Sequence, residues 1–104
     1  MDPPIAPEEV YSAIADPTRR RILELLSERP EAVQDLAARF EVSRPAISRH
    51  LRVLSEAGLV RVQADGRRNI YALQPEPFET VRQWLDGFWN ARLTLLKRLS
   101  EGDA

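Results

Sequence analysis

The apolar residues of this chain change their repeat part-way along, and that change restricts the fold more than any other feature. Up to Leu54 they recur three and four positions apart, the spacing that lines one face of a helix. After Gly58 the repeat becomes two: Val60, Val62 and Ala64 alternate with Arg61, Gln63 and Asp65. Asp65-Gly66 is a two-residue hairpin signal, and the stretch from Arg68 to Leu73, with Ile70 and Tyr71, reads as the returning strand. Pro75 and Pro77 stop it. From Phe78 to about Leu99 the helical spacing resumes. The pattern predicts a mainly α domain, α-α-α-α-β-β-α, with about five helices and a two-stranded β-hairpin.

The helix boundaries carry their own chemistry. Pro3, Pro4 and Pro7 keep the first seven residues non-helical. Glu8 and Glu9 then suit a first helical turn, where the dipole favours negative charge, and Val10, Ile14 and Tyr11 supply an apolar side near 8–15. Asp16-Pro17 restarts the chain, because Asp caps a helix and Pro fits its first position. Ile22, Leu23, Leu25 and Leu26 form the next stripe, and Pro30 ends it. Val33, Leu36, Ala37 and Phe40 mark a short helix over 32–40. Glu41-Val42 is a tight connection. Ser43 caps a helix over 44–57 with Pro45 in its first turn, Ile47, Leu51 and Leu54 inward and Gly58 past its end. The last helix, 78–100, carries Phe78, Val81, Leu85, Phe88, Leu95 and Leu99 on one stripe. Trp84, Trp89, Leu93 and Leu96 widen it beyond what one neighbour can cover. A second subunit is the simplest cover, with Val10, Ile14, Trp84, Phe88, Leu95 and Leu99 as the expected interface.

Composition removes several classes of function. There is no cysteine and one histidine, His50, so thiolate chemistry and Cys-ligated zinc are excluded and no nucleophile–base pair assembles. We expect neither an enzyme nor a metal site or cofactor. No apolar run reaches 18 residues, too short to span a bilayer. Met1-Asp2-Pro3-Pro4 lacks the basic and apolar start of a signal peptide. The expectation is a cytoplasmic protein, 1–104 forming one domain.

The net charge is −1, but the charge is unevenly spread. Residues 1–38 hold 4 Arg against 8 carboxylates, residues 39–72 hold 7 Arg against 3, and residues 73–104 hold 4 basic groups against 5. The middle third is a basic block, and local sign decides where a phosphate backbone docks. Within that block, a short helix, a tight turn and a polar helix make a helix-turn-helix, and the hairpin follows as a wing does. Such a motif lays its second helix in the DNA major groove. With Ile47, Leu51 and Leu54 inward, Arg44, Pro45, Ser48, Arg49 and Arg52 project outward. Arginine can bridge guanine O6 and N7, and Ser43 and Ser48 are short enough to let the helix approach. Gln34 is a candidate phosphate contact, and Arg67, Arg68 and Asn69 occupy the hairpin tip.

Each of these features has a plainer reading. A row of outward arginines is commonly a solvated helix face, but its place on the second helix, with an arginine-tipped hairpin next, favours DNA. Arg19-Arg20-Arg21 opens a helix and reads as structural or as a partial phosphate contact. His50 reads either as a packing and hydrogen-bonding group between helices or as a further phosphate contact. Trp84 and Trp89 suit core or subunit packing, or line a ligand pocket.

The segments "ADPTRRRILELL" at 15–26, "SRPAISRHLRVLSEAGLV" at 43–60 and "DGRRNIYAL" at 65–73 together resemble the ArsR/SmtB family of winged helix-turn-helix repressors, over roughly residues 8–100. The resemblance implies a homodimer joined by the first and last helices, bound to an imperfect inverted repeat that overlaps a promoter. Metal-sensing members carry a Cys-rich motif in the helix at 32–40 or paired Asp/His ligands in the last helix. Here the first stretch is "AVQDLAARF" and the last helix has no histidine. With its tail "WLDGFWNARLTLLKRL", the chain resembles the non-metal branch, which includes autorepressors. Glu41 stands where many relatives have glycine, and a positive φ there would strain it.

The expected function is therefore a sequence-specific, DNA-binding transcriptional regulator, a homodimeric repressor that occludes a promoter. Two alternatives stand beside it. One is a winged-helix protein–protein module that never touches DNA. The other is a repressor gated by an unidentified small-molecule effector.

Overall fold

The computed structural model describes residues 7–101. The expectations for the first six residues and for 102–104 lie outside that range. Five helices and three strands follow in the order α1 (Pro7–Ile14), α2 (Pro17–Glu28), β1 (Glu31–Ala32), α3 (Val33–Ala37), α4 (Arg44–Glu56), β2 (Val60–Asp65), β3 (Arg68–Leu73) and α5 (Glu76–Glu101). Pro7 belongs to α1 rather than to the segment before it, since proline is tolerated in a first helical turn.

The caps form as the residue types require. Asp16 accepts a hydrogen bond from the Arg19 amide at 3.0 Å, with Pro17 next to it. Ser43 Oγ accepts from the Ala46 amide at 3.3 Å, ahead of Pro45. At the other end of α4, Gly58 adopts φ 76°. The Leu59 amide reaches back to the Leu54 carbonyl at 2.9 Å and the Gly58 amide to that of Ser55 at 3.0 Å. This paired closure stops the helix and turns the chain into β2.

The core lies where α1, α2, α3, α4 and the start of β2 converge. Ile22, Leu36, Ile47, Leu51, Leu54 and Leu59 are fully buried there, each worth about 1.5–3 kcal/mol of transfer free energy. Val10 is only 2% exposed and belongs to this core. That corrects its placement in a subunit interface: α1 spends Val10 and Ala13 on its own domain, and Ile14 packs partly against the same cluster.

Three local features differ from the sequence reading. The sheet has three strands, ordered β1-β3-β2, because Glu31 and Ala32 pair antiparallel with Tyr71 and Ile70. The hairpin closes on an Asp65–Arg68 pair, so the two turn residues are Gly66 and Arg67 rather than Asp65 and Gly66. Gly66 takes φ 64°, and glycine as first central residue is the II′ turn pattern. Helix α3 spans only Val33–Ala37, and Ala38 to Phe40 form turns. No non-glycine residue among those described has a positive φ, so Glu41 carries no such strain.

Helix α5 is attached to the domain at one end. Phe78 and Val81 pack on the core, and Tyr11 meets Trp84 with ring centroids 5.5 Å apart. At about 39 Å for 26 residues, α5 then continues with Trp84, Leu85, Phe88, Trp89, Leu93, Leu95, Leu96 and Leu99 all more than half exposed.

Candidate nucleic-acid interface

The inward side of α4 fixes its outward side. Ile47, Leu51 and Leu54 are wholly buried, and the helix repeat then turns Arg44, Pro45, Ser48, Arg49 and Arg52 to the surface, where each is exposed together with the capping Ser43. Gln34, near the start of α3, is exposed as well. Among the described residues Arg44 and Arg49 enter no ion pair, whereas Arg52 Nε donates to Glu56 Oε1 one turn on, at 3.2 Å. That pair is highly exposed on both sides, and such pairs contribute little. It does not prevent Arg52 from meeting another anion.

His50 has a different setting. Its side chain is 24% exposed and its Nδ1 lies 3.3 Å from the Arg19 guanidinium and 4.0 Å from the Asp16 carboxylate. A neutral ring protonated on Nε2 accepts from Arg19 there. Arg19 in turn donates through Nε to the Ala13 carbonyl at 2.6 Å and through Nη2 to that of Ser12 at 3.0 Å. Arg20 donates to the carbonyls of Ile14 and Ala15. These are carbonyls at and just past the end of α1, where a helix leaves acceptors short of donors; the Ser12 carbonyl also accepts from the Ala15 amide at 3.2 Å. Arg19 and Arg20 therefore close α1, and His50 ties α4 to that corner. The Arg19 amide bond to Asp16 holds this carboxyl below its ordinary value of 3.8 against the opposing effect of burial, with the Arg19 charge, and that of His50 when its ring is protonated, adding to it.

The wing is open to solvent from Arg61 to Asn69. Arg67 sits in the turn and, among the described residues, forms no ion pair. Asn69 is exposed on β3. Arg68 is engaged: its Nη2 donates to Asp35 Oδ2 of α3 at 2.5 Å. Sequence reasoning passed over Asp35, because nothing along the chain relates positions 33 residues apart. It also passed over Glu31, whose buried carboxylate accepts from Arg39 at 2.5 Å and from Arg29 at 3.2 Å. That cluster joins β1 to the turn after α3 and leaves Arg39 with a structural partner.

The α5 residues expected to pair subunits are open to solvent in the single chain. Trp84 and Phe88 meet edge to face at 4.8 Å, and with Leu95 and Leu99 they are 52 to 62% exposed. Trp84 and Trp89 stand on this open helix surface rather than inside the core. No described helix is long and apolar enough to cross a membrane, and no three potential metal ligands cluster among the described residues.

Residues 16–62, the span from the cap of α2 to the start of the wing, match the family described as bacterial regulatory protein, arsR family. The chain is 45% identical over 100 residues to the HTH-type transcriptional regulator Rv2034 of Mycobacterium tuberculosis, covering 94% of both chains. The chain belongs to the ArsR family. A second relative, the transcriptional repressor SdpR of Bacillus subtilis, is 36% identical over 81 residues, covering 78% of this chain and 90% of that protein. A solution structure from Mycobacterium bovis, described as a homodimeric winged helix-turn-helix DNA-binding domain, superimposes with a TM-score of 0.65 at 26% identity, over 83% of this chain and 80% of that one. The fold is thus the ArsR winged helix-turn-helix, and the chain is a transcriptional regulator rather than an enzyme.

Proposed function

We propose that this ArsR-family regulator acts as a homodimeric repressor that binds an imperfect inverted repeat and blocks a promoter by occupying it. The observation that carries the reading is the outer side of α4. Arg44 and Arg49 are exposed and unpaired among the described residues, beside Ser43, Pro45, Ser48 and Arg52. Cations without internal partners, on the helix that follows the turn, fit the requirement for bidentate contacts to guanine in a major groove. Gln34, Arg67 and Asn69 supply flanking contacts to phosphate, Arg68 already being paired with Asp35, and His50 serves first to hold α4 in place.

The apolar face of α5 favours the dimer. Eight large apolar side chains more than half exposed on one helix form a patch of the kind that marks an association surface. The relative from Bacillus subtilis is named a repressor and the Mycobacterium bovis domain is homodimeric, which supports both halves of the reading. Two α4 helices held about 34–36 Å apart would enter successive major grooves.

The test is selection of bound duplexes from a random pool by the whole chain. A twofold-repeated winning sequence is the expected result. Winners with a single half-site, or no enrichment, would sink it. Sedimentation of Trp84→Ala together with Phe88→Ala checks the interface: dissociation at concentrations where the parent chain stays paired is expected, since each change deletes a large apolar contact.

A further inference from the structure

We propose that Asp35 restrains the hold of this chain on the DNA backbone by keeping Arg68 to itself, so that Arg67 is the working cation of the wing. The inference rests on the DNA-binding reading above and adds to it a residue that opposes binding.

Two observations place Arg68 under carboxylate control. Its guanidinium donates to Asp35 Oδ2 at 2.5 Å, joining the tip of the wing to α3. Asp65 is also its direct partner across the β2–β3 ladder, so its side chain extends from the same face of the hairpin. Arg67, one residue earlier and in the turn itself, has no ion pair among the described residues.

The Asp35–Arg68 pair is a poor candidate for a stabilising device. Both side chains are about half exposed, 55% and 49%, and exposed pairs contribute little to a fold, but at 2.5 Å this pair is shorter and less exposed than the 3.2 Å Arg52–Glu56 pair and holds its arginine more closely. Its place is more telling. Asp35 neighbours Gln34 on the exposed side of α3, beside the groove-reading helix. A carboxylate there repels an approaching phosphate and cancels the cation nearest to it. The wing carries two adjacent arginines, but electrostatically it presents one. Backbone-only binding to any duplex is correspondingly weaker.

The experiment measures binding of the full chain to a random-sequence duplex by fluorescence anisotropy across a salt series. Each phosphate neutralised adds about 0.9 to the slope of log affinity against log salt. Asp35→Asn is expected to bind more tightly at low salt and to steepen that slope by about one such step. This corresponds to about three- to fourfold more affinity lost between 50 and 200 mM salt. Arg67→Ala should flatten the parent slope by a comparable step, while Arg68→Ala, which removes a cation already neutralised but bares the Asp35 carboxylate, flattens it by less. The double variant Asp35→Asn with Arg68→Ala should lose the gain of the single change.

Parent-like binding by Asp35→Asn overturns the inference. So does an Arg68→Ala slope as flat as that of Arg67→Ala. Retention of the gain in the double variant also overturns it, because Asp35 then acts by its own repulsion and not through Arg68. A parent chain that binds no duplex at any salt removes the DNA reading itself, and the inference with it. Arg67→Ala and Arg68→Ala leave Asp35 intact, so their comparison stands even if Asp35→Asn folds poorly.

Discussion

Two arginine-rich stretches of this chain look alike on paper and have opposite employment. Arg19-Arg20-Arg21 opens α2, and Arg44, Arg49 and Arg52 line α4. In the first stretch the guanidiniums of Arg19 and Arg20 are taken up by the carbonyls of Ser12, Ala13, Ile14 and Ala15, and Arg21 pairs with Glu24 at 3.1 Å. In the second, Arg44 and Arg49 have no ion-pair partner among the described residues, and Arg52 has only an exposed pair with Glu56. The local density of positive charge is therefore a poor guide to where a polyanion docks. What matters is how many N–H groups remain after the fold has satisfied its own acceptors. An α-helix end leaves carbonyls unbonded, and two arginines placed just beyond α1 are consumed by that need.

That contrast predicts separable phenotypes. Arg19→Ala takes the guanidinium donor from the Ala13 carbonyl, leaves the Ser12 carbonyl with the Ala15 amide alone and removes the guanidinium beside His50. It should cost about 2–3 kcal/mol of stability, since hydrogen bonds from a charged group are the stronger kind. Thermal unfolding should show the melting temperature falling by about 10 °C or more, with binding per folded molecule little changed. A variant that melts like the parent and binds DNA poorly would reverse the assignment.

Arg49→Ala should behave in the mirror sense. Its melting curve should match the parent, as surface changes usually do, while affinity for the selected duplex falls by about 1–3 kcal/mol if Arg49 bridges a guanine. An equal loss on selected and random duplexes would reduce it to a phosphate contact. Asp16→Ala probes the same corner more gently, at about 1 kcal/mol for a lost cap. Because the folded state holds the Asp16 carboxyl below 3.8, its contribution is complete above that pH. It is lost as pH falls through the lowered value. Chemical denaturation should show the variant's deficit at pH 7 shrinking in strong acid; a constant deficit would mean the carboxylate charge is irrelevant. Smallest of all is Arg67→Ala, with a salt slope flatter by about 0.9 and little change in stability.

Much of the domain was legible because its signals are local. Asp16-Pro17, Ser43 with Pro45, and Gly58 each fix a backbone conformation through their own side chain or its absence, and the structure places a helix end at each. The outward set on α4 was legible for a related reason. Once Ile47, Leu51 and Leu54 are known to face inward, the 3.6-residue repeat orients Arg44, Ser48, Arg49 and Arg52 without further information. The hairpin was found but its turn was displaced by one residue, because Asp65-Gly66 and Gly66-Arg67 both satisfy a glycine-containing turn, and the strand register decides between them.

Three further misses depend on contacts between distant positions. Glu31 and Ala32 are too few to show a repeat of two, and they become a strand only because the edge of β3 is there to pair with. Val10 has the helical spacing of an interface residue and of a core residue alike, and packing gave it to the core. Asp35 is an unremarkable helix carboxylate until Arg68 arrives beside it.

By itself, then, the order of residues settled which segments are helical, the capped ends of α2 and α4, and which side of each helix is apolar, since those follow from backbone sterics and from neighbours three or four positions away. The tertiary structure decided which arginines are spent and which are left over, because a guanidinium seeks the nearest unsatisfied acceptor in space, and spatial distance is not written along a chain.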